Sequence, residues 1–210
     1  MFISYKHMIG SLFFNIIALL FALKGSLTKN SQGLVYSVIC IFIFLAIRFD
    51  FGNDYMAYFE RFYEINLNNT FLLTNFTVKG NEVGWIFLNY LFKPLGFFWM
   101  QIFLAGFSCF ILYRFIKKYV PQKYYWLAIF IYIFQPYHML VLSSAMRQAV
   151  AVSLFLLATD YLIQKKPIRY ILIILFGSLF HTTALFLLPL VFLSFVKIKP
   201  KGIYIFLISV

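Results

Sequence analysis

Long apolar runs separated by short basic segments dominate this sequence. The apolar runs cover residues 8–23, 33–47, 95–116, 125–142, 145–163 and 170–195. They are continuous, whereas a membrane β-barrel shows alternating segments of about ten residues. Because a helix needs about twenty mostly apolar residues to cross a bilayer, the pattern predicts an all-α, polytopic transmembrane helix bundle that forms a single domain, residues 1–210.

The run at 170–195 is predicted to bend instead of crossing the membrane once. Basic residues cluster at 24–29, 114–123, 165–169 and 197–201, and such clusters face the cytoplasm in membrane proteins. A single crossing would place residues 197–201 outside. We therefore predict short or re-entrant helices at 170–181 and 183–196, which meet at the outer face beside a water-filled recess. The alternative is one tilted helix.

Residues 202–210 begin a further apolar segment that is too short to cross a bilayer. Two interpretations stay open. Either the chain is C-terminally truncated within a partial helix, or this tail packs against the bundle.

The only long polar segment, residues 48–82, is predicted to be a loop at the outer face. Residues 54–65 have the spacing of an amphipathic helix, lying on the membrane surface or across the mouth of the bundle. Its apolar face would consist of Tyr55, Met56, Phe59, Phe62 and Tyr63. Residues 82–92 predict a second short helix, which ends before Pro94.

The composition supports an integral membrane protein. Hydrophobic residues make up 63% of the chain and charged residues only 11%, whereas soluble domains are about a quarter charged. The net charge of +12 comes from clusters between apolar runs and not from one basic stripe. The charge therefore sets topology, and no nucleic-acid partner is predicted.

The segment Arg48 to Tyr55 reads Arg-Phe-Asp-Phe-Gly-Asn-Asp-Tyr and follows an apolar run directly. Asp50 and Asp54 are candidates for a general base, or for carboxylates that hold arginines in place. The plainer interpretation is a helix cap with a surface ion pair of little energetic value. Gly52 favours a turn between the two carboxylates.

Three further polar residues are predicted to lie on the same outer side. Arg147, followed by Gln148, lies at the outer end of a predicted apolar helix. It is either a lipid anchor or a planar donor for phosphate oxygens, and we favour the second. His181 is a candidate base or a helix-packing residue. Glu82 has the place of a helix N-terminal residue.

The sequence contains no HExxH, P-loop, GxSxG or DxD motif and no Cys/His metal spacing. No metal and no other cofactor is therefore predicted. Arginines and carboxylates at one membrane boundary suit a substrate that has a phosphate group and a hydroxyl nucleophile.

Four short motifs resemble the EpsG family of exopolysaccharide polymerases, relatives of the Wzy O-antigen polymerases. They are Arg48-Phe-Asp-Phe-Gly-Asn-Asp54-Tyr55, Glu82-x-Gly84, Ser143-x-x-x-Arg147-Gln148 and Phe180-His181-x-Thr183-Ala184-Leu185. The resemblance implies a GT-C-like glycosyltransferase in the bacterial inner membrane, making exopolysaccharide, capsule or O-antigen from polyprenyl-diphosphate-linked oligosaccharides. It implies a flippase and a chain-length regulator as partners beside the lipid bilayer.

The resemblance also suggests roles for individual residues. Arg147, Arg48 and Gln148 would bind the substrate diphosphate, and Asp54, Asp50 or His181 would accept the proton of the attacking hydroxyl. Glu82, Gly52 and Tyr55 would support the site.

Two other functions compete with this one. A transporter or flippase of lipid-linked oligosaccharides would show internal repeats and mid-membrane charges, which this sequence lacks. A non-catalytic partner in a polysaccharide-assembly complex is the third hypothesis.

Overall fold

The computed structural model of the chain describes residues 5–52, 54–64, 82–134 and 145–195, and these residues form helices and turns without a strand. The α-helices are α1 (Tyr5–Leu27), α2 (Gln32–Ile47), α3 (Tyr55–Glu64), α4 (Val83–Phe92), α5 (Phe97–Tyr119), α6 (Tyr125–Phe134), α7 (Met146–Ile163) and α8 (Pro167–Ser178). Two 3₁₀ helices cover Gln122–Tyr124 and Thr182–Ser194, and the second is called the C-terminal 3₁₀ helix below.

Three helices in the described part are long and apolar enough to cross a membrane: Gly10–Leu27 within α1, Phe97–Tyr119 and Met146–Ile163. Helices α2, α4 and α8 and the C-terminal 3₁₀ helix are shorter but also apolar. This architecture confirms the predicted all-α membrane bundle with additional short helices.

The chain reverses direction between α8 and the C-terminal 3₁₀ helix. The Tyr170 hydroxyl donates a hydrogen bond of 2.6 Å to the Leu187 carbonyl, and a Cβ atom on Gly177 would lie 3.8 Å from Ala184. These contacts require an antiparallel return. The reversal lies where a bend was expected, but the returning segment is a 3₁₀ helix containing Pro189, which lacks a backbone donor.

Helix α3 packs across the ends of α4 and α5. Its buried residues are Tyr55, Tyr58 and Phe62, while Tyr63 is 57% exposed. The sequence prediction placed Tyr63 on the apolar face and omitted Tyr58. Positions 55, 58 and 62 follow the i, i+3, i+7 spacing of one helix face, and Tyr58 is buried because it packs edge-on against the Trp85 ring.

Lys93 holds the C-terminal end of α3 in place. Its Nζ atom donates to the carbonyl oxygens of Phe62, at 2.5 Å, and Tyr63, at 3.0 Å. Carbonyl groups at the end of a helix have no partner within the helix, so this cation supplies the missing donor.

Gln101 of α5 fixes the end of α2. Its Nε2 atom donates to the carbonyl oxygens of Leu45, Ala46 and Arg48, at 3.3, 2.7 and 2.8 Å. The side chain is 1% exposed, so water does not compete. This contact holds the turn after α2 against the start of α5.

The opposite ends of α5 and α7 are joined by Asp160. Its carboxylate accepts from Lys118 Nζ at 2.8 Å and from the Tyr119 hydroxyl, and Arg114 lies 3.7 Å away. The described part of the bundle thus has two distinct ends. One has the basic clusters around α5 and α7, and the other has the predicted site residues.

Several sequence predictions fall outside the described residues. They concern the outer turn at residues 143–144, the basic cluster at 197–201 and the partial helix at 202–210.

Replacing Gln101 with leucine should destabilise the protein by about 1–3 kcal/mol, because buried carbonyl oxygens at the end of α2 lose their donor. The unfolding midpoint in detergent measures this change. Gln32→Leu is the matched control, since Gln32 is exposed at the start of α2 and its replacement should cost less than about 0.5 kcal/mol. Equal effects from the two variants would contradict the assigned role of Gln101.

Candidate active site

Glu82 stands at the N-terminal end of α4 but does not cap the helix with its side chain. Its backbone is extended, with φ −69° and ψ 140°, and the side chain makes no capping hydrogen bond. The Glu82 carbonyl accepts from the Trp85 and Ile86 backbone N–H groups, both at 3.0 Å. The carboxylate is therefore available for partners on other elements.

A close backbone contact at Gly84 brings the start of α4 to the turn before His181. The Gly84 N–H donates to the Leu179 carbonyl at 2.8 Å. A Cβ atom at position 84 would lie 2.9 Å from that carbonyl oxygen and 3.1 Å from its carbon. Only glycine fits without displacing the backbone, which explains the spacing Glu82-x-Gly84.

The Glu82 carboxylate contacts two basic side chains from two other elements. Oε2 accepts a hydrogen bond from Nη1 of Arg147 in the first turn of α7. Oε1 lies 3.4 Å from Nδ1 of His181, which precedes the C-terminal 3₁₀ helix. The side chains are 10%, 18% and 23% exposed for Glu82, Arg147 and His181, so this ion pair is only weakly screened by solvent.

Glu82 and His181 are in close contact, but their side chains do not form a hydrogen bond. Nδ1 of His181 is buried and forms no hydrogen bond with any residue in the described part of the chain, although Oε1 is within 3.4 Å. The 23% of this side chain that is exposed therefore lies away from Nδ1.

Tyr58 completes the group, and sequence analysis missed it. Arg147 Nε donates to the Tyr58 hydroxyl at 3.3 Å, and the guanidinium carbon lies 5.6 Å from the centre of the Tyr58 ring. The signal was present in the sequence, since Tyr58 is three residues after Tyr55 and four before Phe62. We call Tyr58, Glu82, Arg147 and His181 the Glu82 cluster.

Three helix N-termini meet at the Glu82 cluster. Glu82 precedes α4, Arg147 lies in the first turn of α7 and His181 precedes the C-terminal 3₁₀ helix. A helix N-terminus has a partial positive charge, which disfavours a cation such as Arg147. Glu82 offsets this charge, and an anionic ligand would be attracted to the same place.

Arg48 does not join this cluster. It is 8% exposed, and its Nη1 atom donates to the Leu45 carbonyl at 2.8 Å. The carbonyl end of α2 attracts the guanidinium, as the helix dipole favours. Arg48, Ser108 and Met146 line a cavity of about 10 Å³, which has room for about one water molecule. Arg48 thus lies beside a cavity that the first residue of α7, Met146, also lines.

Asp50 and Asp54 are both exposed and form no ion pair with another described residue. Asp50 has φ 48° and Gly52 has φ 94°, so the segment between the two carboxylates turns. Asp54 directly precedes α3, and its carbonyl accepts from the Tyr58 N–H at 3.0 Å. Glu82, and neither aspartate, is the carboxylate that contacts Arg147.

Tyr55 and Gln148 occupy supporting positions. Tyr55 is 2% exposed and packs edge-on against Phe97, with ring centres 5.7 Å apart. Burial raises the pKa of its phenol, so the hydroxyl stays protonated and Tyr55 anchors α3. Gln148 follows Arg147 in the first turn of α7 and is half-buried.

Within the described residues, no group of three or more His, Cys, Asp or Glu side chains is placed to hold a metal ion. The Glu82 cluster consists of one arginine, one carboxylate, one imidazole and one phenol. Such a group can bind an anion and exchange a proton.

Comparison with known proteins identifies one family. The model of the EpsG family matches residues 33–210, which include every residue of the Glu82 cluster. No curated protein and no solved structure matches the chain. The match and the apolar helices together indicate a membrane protein with a polymerase-related role in exopolysaccharide synthesis.

Replacing Gly84 with alanine should destabilise the protein by about 1–3 kcal/mol, because the new methyl group would meet the Leu179 backbone. The unfolding midpoint in detergent reports the effect. Gly106→Ala is the matched control, since its Cβ atom would lie 3.6 Å from Phe42, an ordinary contact. A Gly84→Ala variant as stable as Gly106→Ala would contradict the close approach.

Replacing Glu82 with glutamine should also destabilise the protein, by about 1–3 kcal/mol, because Arg147 loses its counter-charge in a half-buried site. Asp54→Asn makes the same chemical change at an exposed carboxylate and should cost less than about 0.5 kcal/mol. Thermal unfolding of both variants tests this difference, and a larger loss for Asp54→Asn would refute it.

Proposed function

Because the chain belongs to the EpsG family, we propose that it polymerises lipid-linked oligosaccharide repeat units by glycosyl transfer from polyprenyl diphosphate. The reaction would take place at the outer face of the bacterial inner membrane and yield exopolysaccharide, capsule or O-antigen. The observation that carries this proposal is Arg147, held by Glu82 and Tyr58 where three helix N-termini meet.

In this proposal Arg147 binds the diphosphate of the donor. When the bond between the anomeric carbon and the diphosphate oxygen breaks, negative charge grows on the leaving group. A guanidinium fits phosphate oxygens in two-point geometry, and a group placed where charge develops lowers the barrier. The positive ends of α4, α7 and the C-terminal 3₁₀ helix add to this stabilisation.

His181 is the proposed base. The acceptor hydroxyl attacks the anomeric carbon and forms the new glycosidic bond, its proton passes to the imidazole, and the lipid diphosphate leaves. His181 lies within the cluster that holds Arg147, part of its ring is exposed, and imidazole accepts protons near neutral pH. Asp54 and Asp50 are second candidates, supported by their exposure near the start of α3.

Arg48 and Gln148 take different places in this proposal. Arg48 lines a small cavity together with Met146, and in this proposal it would help to position the first turn of α7. Gln148 is next to Arg147 in the chain and would contact the same diphosphate.

A host in which this gene is deleted and then restored with variants tests the proposal. Arg147→Ala should reduce long polymer about 100-fold or more, because the growing charge on the leaving group loses its main partner, and single repeat units should accumulate. Gel analysis of surface polysaccharide measures polymer length.

Arg169→Ala is the matched control, since this arginine is exposed at the other end of the bundle. It should leave polymer length unchanged. Long polymer from an Arg147→Ala variant that reaches the membrane would contradict the proposed role. An unchanged profile in the deletion host would instead favour the transporter or the non-catalytic partner.

A further inference from the structure

One carboxylate in the Glu82 cluster is shared by two basic groups, and only one of them is fully paired. Oε2 is bonded to Arg147, whereas Oε1 is 3.4 Å from His181 Nδ1 without hydrogen-bond geometry. We propose that Glu82 changes partner during the reaction. It neutralises Arg147 in the empty site and pairs with His181 once the donor diphosphate occupies Arg147. This inference rests on the proposed function.

Glu82 Oε1 and His181 Nδ1 lie close together but do not form a hydrogen bond. Nδ1 of His181 is buried and has no hydrogen-bond partner among the described residues, and a buried polar atom without a partner is unfavourable. A small rotation of the Glu82 carboxylate would complete the bond, since the two atoms are already 3.4 Å apart. The Gly84 contact with Leu179 keeps the two backbones in place meanwhile.

Tyr58 holds Arg147 in place while Glu82 changes partner. It accepts from Arg147 Nε at 3.3 Å and lies under the guanidinium, whereas Glu82 is bonded to Nη1. Nη1 can therefore exchange a carboxylate for a phosphate oxygen while Nε stays bonded. A diphosphate has more negative charge than one carboxylate, so it competes for Arg147 and repels Glu82 toward His181.

The exchange makes donor binding a condition for proton transfer. A carboxylate bonded to Nδ1 holds the proton there, so Nε2 becomes the acceptor. Among the described residues, the charged and titratable groups that face His181 are Glu82 of α4 and, through it, Arg147 of α7 and Tyr58 of α3. In the empty site Arg147 competes for the carboxylate. In the occupied site the diphosphate neutralises Arg147, and the Glu82 carboxylate is released to hold the Nδ1 proton of His181.

Histidine NMR of the full chain in detergent tests the exchange directly. The chain has three histidines, so His7→Gln and His138→Gln leave His181 as the only signal from this residue type. Farnesyl diphosphate is the probe. We expect the probe to shift the ring-nitrogen resonances of neutral His181 toward those of the tautomer that has its proton on Nδ1.

The Glu82→Gln variant distinguishes the effect of the Glu82 partner change on His181 from the direct electrostatic effect of the bound diphosphate. In this variant the probe-induced shift should fall to less than half, because a neutral amide oxygen holds the Nδ1 proton less strongly than a carboxylate does. Glu82→Asp is the second variant, with a shorter side chain that should reach Nδ1 poorly and give the same loss. Tyr58→Phe keeps the ring and removes the hydroxyl, and should weaken the probe-induced shift.

Three results would overturn the proposal: an equal shift with and without the Glu82 carboxylate, no shift while phosphorus NMR shows the probe bound, or no probe binding. The first two outcomes are distinct from a failure of the proposed function, whereas absence of probe binding would count against both. Long polymer from Arg147→Ala would remove the polymerase role, whereas a shift independent of Glu82 would remove only the exchange.

Discussion

The contact between the Gly84 and Leu179 backbones is the constraint on which the candidate site depends. A helix start and a turn approach so closely that a Cβ atom would be 2.9 Å from a carbonyl oxygen. Glu82 and His181 are each two residues from this contact, so their side chains must lie near each other. Arg147 reaches the same place from α7, and its charge is balanced by Glu82. The close packing of the two backbones therefore sets the positions of Glu82 and His181, and the ion pair with Arg147 depends on these positions.

The carboxylates of Asp160 and Glu82, at the two ends of the bundle, differ in how completely they are hydrogen-bonded. At the end near Asp160, the carboxylate is held by Lys118, Tyr119 and the more distant Arg114, which ties α5 to α7. At the other end, Glu82 divides its two oxygens between Arg147 and an incompletely bonded His181. A fully satisfied network stabilises one arrangement, whereas a partly satisfied one can change partners. This contrast, together with the three converging helix N-termini, is the reason to propose the Glu82 cluster as the place where a ligand acts.

Much of this fold follows from the order of apolar runs and basic clusters in the sequence. The short helix before Pro94 could be anticipated because proline acts locally, and the reversal near His181 because basic clusters between apolar runs indicate which side of the membrane each run reaches. The partners of individual side chains could not. Sequence spacing suggested that Asp50 or Asp54 would hold the arginines, but Glu82 contacts Arg147, and Arg48 is bonded to the end of its own helix. Tyr58 was missed because tertiary packing against Trp85 decided its burial.

The central claim is that Arg147 stabilises a departing lipid diphosphate while a glycosidic bond forms. The most direct measurement uses membrane vesicles that contain the protein and the host's own lipid-linked repeat units, and counts free polyprenyl diphosphate released for each new linkage. The account predicts one diphosphate per linkage, with both products lost together in Arg147→Ala. Polymer growth without release of polyprenyl diphosphate, or release that is unchanged in Arg147→Ala, would contradict it.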